Sequence, residues 1–346
     1  MRVRPQLSTL VFGAIIVLGA AVRLDLAWKS PPSIDLESYG IVADLVRRGQ
    51  PLYEGTHRYN YSPIWSWVVT GVDAASRATG LSFAGLTRTV LAAGDLGVAA
   101  LIFFLARRTR VVRPWPAAAL VAANPLLIWA SSVQGQFDNL AVLLLLAALL
   151  AATARRSAPL LLLSVTVKQV TALHPLLWLK RRSDAPAVLA VYAGSAALFL
   201  PYAGQWRAIR DHVLLYRAVP RSYGFSELVL YDARWALPVA AAALLAASAA
   251  AWRLRYQEPA RASLFVFLVL LFLAPGLGAQ YFVWPLALGA LFGGAGYVLT
   301  TAAALAWTLG SHYGWPGGGQ FLGHVAWLSV AFWGVREARG LFGTPL

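Results

Sequence analysis

The sequence predicts an all-α polytopic membrane protein, and three observations lead to this fold class. Of the 346 residues, 59% are hydrophobic and only 12% are charged, whereas a soluble domain carries about a quarter charged residues. The mean hydropathy is +0.63. Apolar runs that are long enough to cross a bilayer, each of roughly 20 residues, recur along the chain. These features exclude a soluble globular enzyme and a disordered chain.

The net charge of +15 is distributed as in membrane proteins and not as in nucleic-acid-binding domains. The basic residues form short clusters between the apolar runs, which is typical of cytoplasmic loops. These clusters begin with Arg2 and Arg4 and end with Arg336 and Arg339. We therefore expect a multi-pass protein of the cell membrane with both termini in the cytoplasm and no nucleic-acid partner. Because the chain has no cysteine and only five scattered histidines, we expect no metal site and no cofactor.

The apolar runs predict about twelve membrane segments in a single transmembrane domain over residues 1–346. The first run, near 7–26, is expected to be a span and not a signal peptide, because no clean cleavage site follows it. The other expected spans lie near 83–106, 116–133, 138–154, 186–201, 235–252, 262–280, 283–294, 296–310 and 320–335. Residues 158–179 lie between two basic clusters, so a single crossing would break the positive-inside rule. We expect two short helices there that enter and return, with a break near Lys168 or Pro175.

Two segments on the predicted outer face, 29–82 and 202–234, are longer than ordinary connections. Both are expected to carry short helices at the membrane interface. In the first segment the candidates are residues 37–48 and 63–76, and the second of these contains two tryptophans. Loops of this length often contain a functional site.

Two acids in the first outer segment are candidates for a general base. Asp35 lies just beyond the first span, where a partly desolvated carboxylate can deprotonate an acceptor hydroxyl. The alternative is a solvated acid or a helix N-cap, because a helix is expected to follow. Glu37 is the second candidate for the base.

Polar side chains also occur at two breaks between expected spans on the outer face. Gln136, Asp138 and Asn139 present donors and acceptors suited to sugar hydroxyls. A turn followed by a helix N-cap explains the same residues equally well. Gln280 and Tyr281 follow a Pro/Gly break and are expected on the same face as Asp35, although a turn with an aromatic belt is the alternative.

Ionisable residues inside apolar runs are costly and are therefore candidates for function; they are Arg23, Asp25, Arg88, Asp95 and Lys168. The alternative is structural pairing. Arg23 and Asp25 are a poor pair on one helix, whereas Arg88 and Asp95 would share a face two turns apart. Lys168 has no acid nearby in the sequence, so it is expected to need an anion such as a phosphate group.

Arginines in the second outer segment run against the positive-inside rule and need another explanation. Arg207, Arg210 and Arg221 are suited to a phosphate or diphosphate lipid headgroup. Ordinary attraction to anionic membrane lipids explains them equally well.

Several short motifs occur in a defined order along the chain. They are Ser-Ile-Asp at 33–35, Gly-Gln-Pro-Leu-Tyr at 49–53, Tyr-Asn-Tyr-Ser-Pro at 59–63 after Arg58, Asn-Pro at 124–125 with Gln-Phe-Asp at 136–138, Lys168 with Pro175, and Gln-Tyr-Phe-Val-Trp at 280–284. Ser33 occupies the first acid position of a DxD-type motif. Together the motifs resemble those of the GT-C superfamily of integral-membrane glycosyltransferases. The nearest resemblance is to the GPI mannosyltransferase I family and to prokaryotic polyprenyl-phosphate-mannose-dependent mannosyltransferases.

The resemblance implies a GT-C bundle that transfers a sugar, by analogy mannose, from a polyprenyl-phosphate donor to a lipid or glycan acceptor. Transfer is expected at the extracytoplasmic face with inversion, and Asp35 is the implied base. The groups expected to hold the donor phosphate are Lys168, Arg207, Arg210 and Arg221. The groups expected to bind the sugar or the acceptor are Gln136, Asp138, Asn139, Gln280, Tyr281, Arg58 and Tyr61.

Two other functions compete with this expectation. A transporter or flippase for an anionic lipid or solute also needs a broken hairpin, buried charges and basic outer residues. Many transporters contain internal repeats, and no repeat of fixed period is visible in this sequence. A non-catalytic membrane scaffold is the second alternative, and it would not require Asp35, Lys168 and Asp138 to converge.

Overall fold

The computed structural model describes residues 5–110, 113–151, 153–215, 236–274, 278–315 and 318–343. These ranges form helices and turns and contain no β-strand. The α-helices are α1 (Pro5–Lys29), α2 (Ile34–Arg47), α3 (Pro63–Thr79), α4 (Phe83–Thr109), α5 (Pro114–Ala122), α6 (Pro125–Trp129), α7 (Asp138–Ala151), α8 (Ala154–Val167), α9 (Ala185–Ala197), α10 (Trp206–Ile209), α11 (Ala236–Leu254), α12 (Pro259–Leu273), α13 (Val283–Gly289), α14 (Gly294–His312) and α15 (Gly318–Phe342). The all-helical architecture is consistent with a helical membrane protein.

Two helices in the described ranges are long and apolar enough to cross a membrane, namely α1, over Thr9–Lys29, and α4. They correspond to the spans expected near 7–26 and 83–106. Two bent helix pairs add a further crossing each if each pair is one broken span. The pairs are Pro114–Ala122 with Pro125–Gln134, bent by 42°, and Arg182–Ala197 with Leu200–Leu214, bent by 51°. Length and composition thus support two to four crossings, and the count of about twelve stays a prediction.

Proline and glycine break two of the expected spans. Within 116–133, α5 ends three residues before Pro125, whose ring removes a backbone donor and restricts the preceding residue. The span expected at 283–294 contains only the seven residues of α13. It ends before Gly293 and Gly294, whose φ angles of +59° and +83° cannot continue a right-handed helix.

The hairpin expected at 158–179 breaks at Lys168, as predicted. α8 ends at Val167, and Lys168 has an extended backbone with φ −152° and ψ 129°. The return arm consists of two 3₁₀ turns, Gln169–Thr171 and His174–Trp178, and not of a second short α-helix. Pro175 lacks the amide hydrogen that a continuous α-helix would require at that position.

The first outer segment forms α2 and α3 and packs on the bundle through its own apolar cluster. α2 begins at Ile34, earlier than expected, because Ser33 caps it with its hydroxyl oxygen. Asp35 therefore lies in the first turn and is not the N-cap. Trp65 of α3 stacks on Phe137 with ring centroids 4.0 Å apart. This contact places the outer segment over the turn that precedes α7.

The structure confirms that Arg23 and Asp25 do not pair, and it overturns the alternative in which Arg88 pairs with Asp95. Arg23 on α1 binds Asp95 on α4, with Nε 2.9 Å from Oδ2, while Asp25 is exposed and pairs with Lys29. Residues two positions apart on a helix do not face each other, so Arg23 and Asp25 cannot meet. Arg88 lies about 10 Å from Asp95 along α4 and donates to backbone carbonyls instead.

Candidate active site

A cavity of about 420 Å³ lies where the first outer segment, the hairpin and α11 meet. Its volume is within the range of small-molecule sites, about 300–1,000 Å³. The side chains with polar atoms that line it are Asp35, Asn60, Tyr61, Gln136, Lys168, Gln169, Gln280, Tyr281 and Trp284. Alanine, valine and leucine side chains from the hairpin, α11 and the C-terminal end of α12, together with Val213, supply the rest of the wall. Segments that are far apart in the sequence thus form one amphiphilic cavity.

Asp35 is half-buried in the wall of this cavity and accepts a hydrogen bond from Nε2 of Gln136 at 2.6 Å. Burial raises the pKa of Asp35, because removal from water disfavours the charged carboxylate. The ammonium of Lys168 opposes this rise, and the carboxylate of Asp138 adds to it. A carboxylate with a raised pKa is a better proton acceptor once it is ionised. The geometry is thus compatible with the predicted role as a base.

The backbone at Gly135 places Gln136 next to Asp35. The π-helical turn Ala130–Gln134 ends at Gly135, whose φ of +78° lies in the left-handed region that favours glycine. A Cβ atom built at Gly135 would lie 2.9 Å from Cγ of Leu36 on α2. Both the conformation and the close approach of α2 therefore require glycine here.

Arg88 links the two chain segments that carry Asp35 and Gln136, a role that the sequence did not reveal. It is buried on α4, and its guanidinium donates at 2.5–2.7 Å to the carbonyls of Ser30, Pro31 and Val133. Ser33 adds a second link, because its hydroxyl donates to the carbonyl of Gln134 at 2.5 Å. The sequence contains one indication of such a role. Arg88 lies inside an apolar run, and Asp95, the acid considered as its partner, is two helical turns away.

Lys168 and Asp138 form a buried ion pair, with Nζ 2.6 Å from Oδ2. The other carboxylate oxygen of Asp138 accepts from Nε1 of Trp284 at 2.6 Å. The ammonium also lies over the ring of Phe137, 4.9 Å from its centroid, and 5.5 Å from the ring centroid of Tyr61. Lys168 is therefore not the unpaired cation that the sequence indicated, because the chain itself provides an anion from 30 residues away.

Asp138 and Asn139 belong to different polar groups although they are neighbours in the sequence. Both oxygens of Asp138 are engaged by Lys168 and Trp284, so Asp138 orients other groups of the cavity. Asn139 donates its amide to Asp95, which also accepts from Ser131 at 2.6 Å. The expected sugar-binding role of Asn139 finds no support from this position, because its side chain is engaged between α4 and α7 and does not line the cavity.

Three further predicted site residues line the cavity, namely Tyr61, Gln280 and Tyr281. The ring of Tyr281 stacks on that of Trp284, with ring centroids 4.8 Å apart. Sequence reasoning did not select three lining residues with polar atoms, Asn60, Gln169 and Trp284. Their position in the chain was the signal that could have found them, because Asn60 and Gln169 each adjoin a selected residue and Trp284 ends the motif that contains Gln280 and Tyr281.

Arg58 and Glu37 lie outside the cavity lining and contact each other. Nη2 of Arg58 donates to the carbonyl of Ile34 at 2.8 Å and lies 3.5 Å from Oε2 of Glu37. The side chain of Glu37 is 58% exposed and lies outside the cavity that contains Asp35. Of the two acids, Asp35 is the better candidate.

The arginines of the second outer segment do not line the cavity in the described ranges. Arg207 and Arg210 are both exposed near α10, and Arg210 pairs with Asp211, with Nε 2.7 Å from Oδ1. Arg221 lies outside the described residues. Phosphate binding by these arginines therefore stays a prediction.

Within the described ranges, no group of three or more His, Asp or Glu side chains is arranged to hold a metal ion. Among the described lining residues the charged groups are Asp35 and Lys168, and Asp138 balances the charge of Lys168.

A scan against protein-family models gives no match for this chain, and a search of curated proteins gives none either. The resemblance to GT-C transferases therefore rests on the short motifs given above.

Proposed function

We propose that this protein is a membrane glycosyltransferase that moves a sugar from a polyprenyl-phosphate donor to a hydroxyl of a lipid or glycan acceptor. Mannose is the sugar favoured by the motif resemblance, and the extracytoplasmic face is the favoured side. The observation that carries the proposal is the position of Asp35. A half-buried carboxylate with a raised pKa shares one cavity with an ammonium and several amide side chains.

The composition of the cavity suits an amphiphilic substrate. Gln136, Gln280 and Asn60 offer amide donors and acceptors, which are the groups that recognise sugar hydroxyls. The apolar surface of α11 and α12 on the same cavity is suited to the hydrocarbon part of a lipid donor. An energy-rich lipid donor would also explain why the sequence contains no nucleotide-binding motif.

In the proposed reaction, Asp35 accepts the proton of the acceptor hydroxyl while the hydroxyl oxygen attacks the anomeric carbon. The new carbon–oxygen bond forms on the face opposite the bond to phosphate. That bond breaks, and its electron pair leaves with the polyprenyl phosphate, so the configuration at the anomeric carbon inverts. Gln136 holds the carboxylate in place through its 2.6 Å hydrogen bond.

Lys168 is the group in the described cavity that can stabilise the departing phosphate. Its ammonium has three hydrogens, and the contact with Asp138 uses one of them. The remaining N–H groups are available to the negative charge that develops on the leaving oxygen. Asp138 acts as a positioning residue in this scheme because it binds Lys168 directly, and Trp284 supports it by donating to the other carboxylate oxygen of Asp138.

A label-transfer assay tests the proposal. The purified full chain, in liposomes, is incubated with radiolabelled polyprenyl-phosphate mannose and a membrane lipid extract, and labelled products are separated by chromatography. The wild type is expected to form a labelled product. Asp35→Asn is expected to lose about 10²–10⁴-fold in rate, the usual contribution of a general base.

The matched control is Asp44→Asn, the same chemical change on the same helix. Asp44 pairs with Arg47 and Arg48 and does not line the cavity, so its variant should retain wild-type transfer. Full activity of Asp35→Asn would remove the base assignment, and loss of activity in Glu37→Gln alone would move that role to Glu37. Passage of the labelled donor across the bilayer without a new product would favour the transporter.

A further inference from the structure

A second cavity, of about 370 Å³, lies at the opposite end of two elements that also line the candidate site. It is bounded by residues 179–182 at the end of the hairpin's return arm, by Ala185 at the start of α9, and by Trp252, Arg255 and Tyr256 at the end of α11. On α11 the lining of the first cavity ends at Leu244, about 12 Å from Trp252 along the helix axis. The two cavities are therefore separate sites on shared elements.

Four cationic side chains line this second cavity: Lys180, Arg181, Arg182 and Arg255. None of them forms an ion pair with an acid in the part of the chain that the structure describes. The acids nearest in sequence are already engaged by backbone amides. Asp184 accepts from the amide of Arg181 at 2.8 Å, and Glu258 accepts from two amides of α12 at 2.7 and 3.0 Å. The positive charge of the cavity is thus left without a protein counter-ion among the described residues.

Arg255 is held in a fixed orientation, although it pairs with no acid in the described ranges. Its Cζ lies 3.8 Å from the ring centroid of Trp252 and 4.5 Å from that of Tyr256. Its Nη1 donates to the carbonyl of Trp252. Its Nε is buried and has no hydrogen-bond partner in the part of the chain that the structure describes. The hydroxyl of Tyr256 donates to the carbonyl of Lys180 at 3.1 Å, which joins α11 to the return arm. A pre-oriented guanidinium with unused donors is suited to a planar or tetrahedral oxyanion.

We propose that this cavity binds the phosphate group of an anionic phospholipid headgroup. Arginine and lysine provide charge-assisted hydrogen bonds to phosphate oxygens. Trp252 and Tyr256 are 46% and 64% exposed, and such side chains favour the headgroup level of a bilayer. The cluster belongs to the basic segments that the positive-inside rule assigns to the cytoplasmic leaflet. This proposal does not depend on transferase activity at the first cavity.

The test uses the purified full chain in a neutral detergent, with bound lipid counted by native mass spectrometry. The probes are short-chain phosphatidylglycerol and phosphatidylcholine of the same chain length. The wild type is expected to prefer phosphatidylglycerol, and the preference should fall as NaCl is added. In Arg182→Gln/Arg255→Gln the affinity for phosphatidylglycerol is expected to fall roughly 30-fold, because each of the two lost basic residues ordinarily contributes roughly fivefold to anionic lipid binding.

The matched control is Arg253→Gln, because Arg253 is an exposed arginine on α11 that does not line the cavity. It should keep the wild-type preference. Equal phosphatidylglycerol affinity in the double variant and the wild type would overturn the proposal. If the double variant does not fold, Arg182→Lys/Arg255→Lys keeps the charge and is expected to retain the preference, and its loss would overturn a charge-based site. Competition by glycerol 1-phosphate at concentrations below those of the lipid would assign the site to a soluble phosphate ester and overturn the lipid as its ligand.

Discussion

Removing the ammonium of Lys168 is expected to destabilise the protein, because it would leave the carboxylate of Asp138 without its counter-ion. The side chain of Asp138 is 1% exposed and that of Lys168 is 10% exposed. Of the two partners of Asp138, only Lys168 carries a charge, since the other is the indole of Trp284. The substitution Lys168→Met preserves most of the side-chain volume and deletes the charge.

The magnitude follows from the burial of the pair. Breaking one side of a buried ion pair costs about 3–5 kcal/mol, because an uncompensated charge remains in a poorly solvated site. Removing both charges, in Lys168→Met/Asp138→Asn, should restore most of this loss, because an amide oxygen at position 138 can still accept from Trp284. A double-mutant cycle should therefore give a coupling energy of about 2–3 kcal/mol.

The assay is unfolding of the purified variants in mixed micelles, followed by circular dichroism. Lys29→Met is the matched control, since it deletes the exposed Lys29–Asp25 pair at 2.5 Å. Exposed pairs contribute about 0–1 kcal/mol. If Lys168→Met were no more destabilised than Lys29→Met, or if the double variant were less stable than Lys168→Met, the reasoning about a buried ion pair would be refuted.

Four other predictions concern the Asp35 region. The transfer rate should rise with pH, and the midpoint of this rise should report a pKa above the ordinary aspartate value of about 3.9. The reason is that the base must be ionised and that burial raises the pKa of Asp35. A pH-independent rate would contradict this prediction. Because the folded state raises the pKa of Asp35, ionisation of this carboxyl lowers the free energy of unfolding as the pH rises above that pKa. Asp35→Asn removes the buried charge and should therefore unfold at a higher temperature than the wild type at pH 7. Arg88→Met should lower kcat more than it raises KM and should shift the pH profile of the rate, because Arg88 joins the segments around Asp35 and Gln136. Arg88→Lys should recover part of both effects. A loss of stability alone, with an unchanged pH profile, would refute the positioning role of Arg88. Gly135→Ala should be destabilised by about 1 kcal/mol or more in thermal unfolding, because of its positive φ, whereas Gly13→Ala, in open space on α1, should be tolerated.

The helical class and the position of the hairpin break could be predicted from the sequence because they depend on local information. Apolar runs predicted α1 and α4, and the charged residue between two basic clusters predicted the break at Lys168. Asp35 could be selected as a candidate base for the same reason, because an acid at the end of a span is visible without knowledge of the fold. The 3₁₀ return arm was not predicted, since hydropathy does not distinguish it from a short α-helix.

Only the tertiary structure decided which polar groups meet. Lys168 pairs with Asp138 across 30 residues, Arg23 with Asp95 across 72, and Gln136 with Asp35 across 101. Helical spacing restricts partners within one helix, but it does not determine which helices pack together. The sequence by itself therefore determined the helical class and a short set of chemically capable residues. Packing determined which of them share a cavity, because a buried charge takes the nearest available partner in space and not the nearest one along the chain.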